Sequence, residues 1–320
     1  MKIPFYIINC SRAQIFVPLH VQNIELYTSV TLILMKSVPI IVLNLYIAGI
    51  TYRCKKMHSP TNVLLACTSI CDFLIGMFSM LPLATILIMA ILRTHSCILV
   101  WFMLFSSHWL GFLAFLLVCL GSVDRYFAVF QPFFYQKYIH NNRFFYIKCV
   151  FIIAKLVLLI TILSIFSKNM TLVQLVILFV NPILIVAVLY IHTQLHFRVK
   201  MVRKAILALK PNMLTQNENT DRQQSKNNSF VANKKNNRDV KMNRLTLMVY
   251  SSTCISYIPY SAVLFLWHIK PMTYSWEWTH EIYMWGCILT YLKSLANPLI
   301  YLYRSKSLRG TIRRIWRKAV

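Results

Sequence analysis

The sequence is poor in glycine and in acidic residues, and these shortages bear on which functions it can perform. Only six of the 320 residues are Gly, and only eight are Asp or Glu. The chain contains no Gly-rich phosphate-binding loop, no His and Cys residues at metal-ligand spacing and no nucleophile elbow. Nothing in the sequence therefore indicates an enzyme, a cofactor or a metal site.

Long apolar runs dominate what is present. Hydrophobic residues make up 58% of the chain and charged residues only 13%. An apolar run of about 20 residues is long enough to cross a hydrocarbon core of about 30 Å as a helix. Seven such runs are found, at residues 29–52, 61–89, 97–122, 144–166, 170–195, 245–268 and 281–303. We predict an all-α membrane protein, with residues 1–320 forming one seven-helix domain.

The net charge of +26 could suit nucleic acid, but the placement of the basic residues argues against that partner. Most of the 34 Lys and Arg residues fall in four blocks between alternate spans: 53–59, 125–148, 198–244 and 302–320. Cytoplasmic loops of membrane proteins carry such an excess. We therefore predict an extracellular N-terminus, a cytoplasmic C-terminus and attraction to anionic inner-leaflet lipid.

Three segments outside the spans have distinct characters. Residues 1–28 form a short outer tail. Residues 211–240 are rich in Asn, Gln, Lys and Ser, which predicts a disordered inner loop. Residues 304–318 alternate apolar and basic positions at helical spacing, which predicts a helix on the inner membrane surface. Asn9 and Asn169 each begin an N-glycosylation sequon.

Two polar motifs interrupt the inner ends of apolar runs. Asp124-Arg125-Tyr126 closes the third run, where ionisable residues are costly and usually functional. Asn297-Pro298 lies inside the seventh run, where proline frees a backbone carbonyl that neighbours or water must satisfy. Such defects indicate a helix bundle that transmits a conformational change across the membrane.

These motifs, in this order, resemble the rhodopsin-like (class A) G-protein-coupled receptors. The matching positions are Asn44, His58 to Asn62, Asp72, Ser122 to Val129, Pro132, Tyr135, Pro182, Tyr190, Pro259 and Asn297 to Tyr301. The motifs of helices two and three are most similar to those of trace-amine and biogenic-amine receptors. The short second outer loop, which lacks Cys, is similar to that of melanocortin-type relatives.

The resemblance implies a plasma-membrane receptor that binds a small-molecule or peptide ligand and activates a heterotrimeric G protein. By family position the ligand pocket comprises Ser107, His108, Gly111, Tyr257, Tyr260, Cys287 and Tyr291. Each of these residues can instead serve only in helix packing. Ser107 replaces the Asp of amine receptors and Tyr291 replaces the retinal Lys of opsins, which disfavours both of those ligand types.

The resemblance also implies a switch at the inner face. Arg125 would pair at rest with Asp124 and with Asp239, and would turn toward Tyr190 and Tyr301 on activation. Tyr126, Asn297 and Pro298 belong to the same switch. The alternative for Asp239 is a solvated loop charge.

A polar pocket inside the bundle is implied for Asn44, Asp72, Lys293 and Asn297. In the family the carboxylate at the position of Asp72 usually binds sodium. Because isolated buried charges cost more than a pair, we predict that Lys293 replaces that ion. The alternative is that Lys293 is neutral or points elsewhere.

Cys97, at the outer start of the third run, has two possible states. In the family its partner lies in the second outer loop, which contains no Cys here. Oxidation would then involve Cys10, and the alternative is a free thiol.

Two other functions fit the same fold or composition. A non-signalling decoy or dimerisation partner is favoured by Tyr257, where the family has Trp, and by the missing Trp of helix four. The intact Asp-Arg-Tyr and Asn-Pro motifs oppose it. A transporter would require polar residues along several spans or inverted repeats, and neither is seen.

Overall fold

The computed structural model of the chain describes most of the predicted spans. The described residues are 5–10, 13–18, 23–54, 59–140, 145–166, 170–212, 244–259, 261–262, 265, 285–286 and 288–319. The elements are β1 Phe5–Cys10, β2 Ala13–Pro18, α1 Asn23–Arg53, α2 Pro60–Ile75, α3 Leu81–Ile91, α4 Cys97–Phe130, α5 Pro132–Phe134, α6 Phe145–Phe166, α7 Met170–Asn212, α8 at helical residues 244–259, α9 Leu292–Arg304 and α10 Lys306–Ala319.

Helices α2 and α3 form one continuous predicted span. They are joined by a π-helical turn, Gly76–Met80. Glycine is needed in this turn because α1 packs closely against it. A Cβ added at Gly76 would lie 2.8 Å from Cγ1 of Ile41, which is closer than real carbon contacts allow. The turn therefore lets α1 and the second span approach each other.

Four of the described helices are long and apolar enough to cross a membrane. These stretches are Leu26–Arg53, Pro60–Ile91, Cys97–Phe130 and Phe179–Val202. Their outward surfaces carry large apolar side chains, such as Met35 and Ile183, which remain exposed. An extensive exposed apolar surface of this kind marks contact with lipid or with other proteins.

Two helices continue beyond the predicted spans. Helix α4 extends to Phe130 rather than ending at 122, and α7 extends to Asn212 rather than 195. The helices are longer than the runs because an apolar run measures hydrocarbon thickness, whereas a helix continues wherever its backbone hydrogen bonds do. Beyond Asn212, the predicted disordered loop of residues 211–240 lies outside the described residues.

The outer tail contains a β-hairpin that the sequence analysis did not predict. Strands β1 and β2 pair antiparallel, with Phe5 opposite Pro18 and Cys10 opposite Ala13. The aromatic and β-branched residues of both strands favour extended backbone. Strand β1 contacts α4, so the hairpin packs against the helix bundle.

Cys97 is disulfide-bonded, and the expectation of a free thiol at this position was wrong. Cys54, Cys67, Cys71, Cys119, Cys149 and Cys254 carry free thiols.

The buried core has an outer and an inner part. Ile33, Leu110, Leu113 and Ile288 belong to the first cluster, which joins α1, α4 and the seventh span. The second cluster contains Phe115, Val249, Tyr250, Tyr257, Tyr301 and Leu308 and joins α4 to α7, α8, α9 and α10. Buried polar residues around Asp72 and around Arg125 lie next to these clusters, and they form the candidate site.

Candidate functional site

The inner end of α4 carries a closed network around Asp124 and Arg125. Arg125 Nε donates to Asp124 Oδ2 at 2.8 Å, and a terminal guanidinium nitrogen also bonds Asp124 and Thr61 Oγ1. Thr61 Oγ1 donates to Asp124 Oδ2 at 3.0 Å. Both Asp124 and Arg125 are buried, so α2 and α4 are joined by a charged pair that is shielded from solvent.

Tyr135 closes this network from the second inner loop. Its hydroxyl donates to Asp124 Oδ1 at 3.0 Å and accepts from the Arg125 guanidinium at 3.3 Å. Burial raises the pKa of Tyr135 to about 12, and the Asp124 carboxylate acts in the same direction. The phenol therefore stays protonated at physiological pH and can act as a hydrogen-bond donor. Pro132 begins α5 and starts the turn that brings Tyr135 back against α4.

The structure does not bring every predicted switch residue to Arg125. Tyr190 is 65% exposed on α7 and lies apart from the network. The Tyr126 ring stacks on Phe130 with centroids 4.7 Å apart. Tyr301 is buried in the inner core, and its hydroxyl has no hydrogen-bond partner among the described residues. Asp239 lies outside the described residues.

A second polar cluster lies in the middle of the bundle around Asp72. Lys293 Nζ lies 3.5 Å from Asp72 Oδ1, and the Ser294 hydroxyl donates to the same oxygen at 2.7 Å. Asn297 Nδ2 donates to Asp72 Oδ2 at 2.8 Å. Asn44 connects α1 to the cluster by donating to the Ser294 carbonyl at 2.9 Å. All four predicted pocket residues, Asn44, Asp72, Lys293 and Asn297, therefore meet here.

This cluster is fully buried and internally neutralised. Asp72 is 0% exposed and Lys293 is 2% exposed. Removing one member of a buried ion pair typically costs 3–5 kcal/mol because the other charge is left uncompensated. The pair is thus an internal structural bond between α2 and α9.

Tyr257 connects the buried pair to the outer half of α4. Its hydroxyl donates to the Gly111 carbonyl at 2.7 Å, and its ring packs edge-on against Phe115. Lys293 Nζ lies 5.5 Å from the centre of the same ring, within the range of a cation–π interaction. Tyr257 therefore contacts the pair on one side and the backbone of α4 on the other.

The remaining described pocket residues are polar and partly buried. Ser107 Oγ and the Tyr291 hydroxyl are 3.4 Å apart. His108 Nδ1 lies 2.6 Å from the Leu104 carbonyl, which can only accept, so Nδ1 carries the proton. His108 Nε2 is consequently an acceptor, and it has no partner among the described residues. Tyr260 and Cys287 lie outside the described residues.

Sequence reasoning quoted Thr61 and Tyr135 only as family landmarks and passed over Ser294 altogether. Ser294 lies three residues before Asn297, on the same helical face, and that spacing was the available signal. No local pattern identifies Thr61 and Tyr135 as partners of Asp124, since their contacts depend on how α2 and the second inner loop pack. Of the predicted glycosylation sites, Asn9 lies in β1 and Asn169 lies outside the described residues.

The described helices and their two buried polar clusters are those of a helical membrane protein. Residues 43–301 match the family described as 7 transmembrane receptor (rhodopsin family). Because this match covers most of the chain, the protein belongs to that family. It is an all-α, multi-pass membrane protein built on a seven-helix bundle, and the predicted fold class is confirmed. No curated protein matches the chain.

Within the described part of the chain, no group of three or more His, Cys, Asp or Glu side chains is placed to hold a metal ion.

Proposed function

We propose that this protein is a plasma-membrane receptor, with its N-terminus outside the cell, that activates a heterotrimeric G protein when a ligand binds. The observation that carries the proposal is the network of Arg125 with Asp124, Thr61 and Tyr135. It fixes a buried guanidinium at the inner end of the bundle, and membership of the rhodopsin family supports a role in signal transduction.

In this mechanism the network holds the inner face closed at rest. Arg125 is restrained by α2, by its own helix and by the second inner loop, and release would require these bonds to be exchanged together. Once free, Arg125 would turn toward Tyr190 and Tyr301. The opened groove would accept the C-terminal helix of a G protein by its apolar face, as in other helix-in-groove complexes.

The ligand end of the mechanism is the outer half of the bundle. We propose that Ser107, His108, Gly111, Tyr257 and Tyr291 contact the ligand, together with Tyr260 and Cys287. The described members are neutral, aromatic or weakly polar, which favours a ligand without a strong charge. Tyr257 contacts both α4 and Lys293, so a ligand that displaces its ring would alter the buried polar cluster.

The test is ligand-stimulated nucleotide exchange in cells that express the full-length protein with a promiscuous G protein. A ligand library should yield an agonist for the unmodified receptor. Arg125→Ala should abolish the response at unchanged surface level, because the guanidinium that engages the G protein is lost. Lys137→Ala is the matched control, since Lys137 lies in the second inner loop close to the network and its Nζ lies over the Tyr138 ring. A normal response from Arg125→Ala would overturn the proposed mechanism.

A further inference from the structure

Lys155 occupies the midpoint of α6 but does not face the bundle. Helix α6 covers Phe145–Phe166, and at 1.5 Å per residue it is about 33 Å long, close to the thickness of the hydrocarbon core. The inward face of this helix is marked by Val157 and Thr161, which are buried. Lys155 is exposed on the opposite side. Its ammonium group is therefore placed at mid-membrane on the outer surface of the protein.

The surroundings of Lys155 are apolar. Phe151 and Leu159 lie one turn before and one turn after it, and they are 64% and 53% exposed. Ile152 and Leu156 flank the same stripe and are also exposed. Among the described residues, no carboxylate forms an ion pair with Lys155. The outer surface of α6 thus presents one cation within a lipid-facing apolar stripe.

Lipid headgroups are too distant to satisfy this cation. The midpoint of the helix lies about 15 Å from either edge of the hydrocarbon core, which exceeds the reach of a four-carbon side chain. Ionisable residues in spans otherwise face the bundle interior or pair with an opposite charge. A carboxylate that reaches Lys155 from outside the protein would compensate this charge.

A second copy of this chain cannot supply that carboxylate. The chain has eight acidic residues, of which Asp72 lies well within a predicted span and Asp124 lies on α4 just beyond the end of the third run. Both are buried and already paired, with Lys293 and Arg125 respectively. The other six lie at or outside the predicted span ends: Glu25, Glu218, Asp221, Asp239, Glu277 and Glu281. Two copies meeting through this face would instead bring like charges together.

We propose that the outer face of α6 is a docking surface for a different membrane protein, whose transmembrane helix carries an Asp or Glu at mid-depth. The carboxylate would pair with Lys155, and its helix would cover the stripe from Phe151 to Leu159. This interaction is separate from ligand binding and from the inner face, so it would assemble the receptor with an accessory subunit rather than switch it.

A designed single-span helix can test this pairing directly. The probe is a Leu- and Ala-rich transmembrane helix with one Asp at its centre, and its control has Leu at that position. Each is co-expressed with the full-length receptor, and association is measured by resonance energy transfer at matched surface levels. The Asp probe should associate about threefold to thirtyfold more strongly than the Leu probe, the range expected for interhelical polar contacts.

Receptor variants then locate the contact. Lys155→Leu should remove the preference for the Asp probe. Lys148→Leu should retain it, because Lys148 is exposed on the same helix but two turns nearer its end. Lys155→Asp should reverse the preference toward a probe with a central Lys, which shows that a loss in Lys155→Leu is not misfolding. Equal association of the Asp and Leu probes with the unmodified receptor would overturn the proposal, as would a preference that survives Lys155→Leu.

Discussion

Asp72 is held by three donors of the seventh span, Lys293, Ser294 and Asn297, and among them only Lys293 brings a charge. Lys293→Ala would leave a buried carboxylate with only the Ser294 and Asn297 hydrogen bonds. We expect this variant to lose about 3–5 kcal/mol of stability, measured by thermal unfolding of the purified receptor. Adding Asp72→Asn should restore much of the loss, because the double variant buries no lone charge.

Lys148→Ala serves as the control for these measurements, since Lys148 is exposed and should contribute little. Additive losses in the double variant would show that the two charges do not act as a pair.

The same samples test whether the stability of the receptor depends on sodium. Exchange of sodium chloride for choline chloride should leave the unmodified receptor unchanged, because Lys293 already provides the cation. Sodium should stabilise Lys293→Ala by mass action. Strong sodium dependence of the unmodified receptor would contradict this role of Lys293.

Tyr135 offers a second test at the scale of one residue. Tyr135→Phe removes the hydroxyl that donates to Asp124 but keeps the ring. If that bond contributes about 1–2 kcal/mol to the closed state, basal nucleotide exchange should rise because the ratio of closed to open states falls roughly five- to thirtyfold. Tyr138→Phe is the control, since Tyr138 lies in the same turn and is half exposed. Equal basal rates in both variants would mean that Tyr135 does not restrain Arg125.

The raised pKa of Tyr135 predicts how the network around Arg125 depends on pH. The pKa of Tyr135 is raised from 10.0 to about 12, so the folded protein favours the protonated phenol. Its contribution is therefore complete below pH 10 and declines as the pH rises toward 12. Basal activity between pH 6 and 9 should consequently show no transition that depends on Tyr135, and comparison with Tyr135→Phe over that range checks this.

At the scale of elements, strand β1 of the hairpin contacts α4, the helix that begins at the oxidised Cys97. We predict that its partner is Cys10, because β1 ends at Cys10 and contacts α4. Peptide mapping of the unreduced receptor should recover Cys10 linked to Cys97. Cys10→Ser should expose the Cys97 thiol to alkylation, whereas Cys287→Ser should not. A Cys97–Cys287 peptide would show that the hairpin is held without a covalent bond.

Elements differ in how far the sequence predicts them. The spans follow from apolar length, and the Asp72–Lys293 contact was predictable because few charges lie within spans and each needs a partner. The hairpin was missed because its residues resemble an apolar tail, and strand pairing depends on a partner segment that local patterns do not identify. Thr61 and Tyr135 were missed as network members because helix packing, and not spacing, brings them to Asp124.

At the scale of the whole molecule, buried polar side chains occur in succession along the length of an otherwise apolar bundle. Tyr257 lies between the outer part of α4 and Lys293, Asp72 lies beside Lys293, and Arg125 lies at the inner end. The basic surface continues on α10, where Arg313, Arg314 and Arg317 are exposed while Leu308 packs into the inner core. Among the described residues, the end of the bundle that carries α10 therefore has a basic surface, which favours contact with anionic lipid.

The buried ion pair has a consequence for synthesis of the chain. Asp72 and Lys293 are 221 residues apart in sequence, so at translation rates of roughly 5–20 residues per second the carboxylate waits about 10–45 s for its cation. During that interval the second span exists in the endoplasmic reticulum without its partner. Until the last span is made, the nascent chain must keep the Asp72 carboxylate beside water or another polar partner. The order in which Asp72 and Lys293 are synthesised therefore constrains how this bundle assembles.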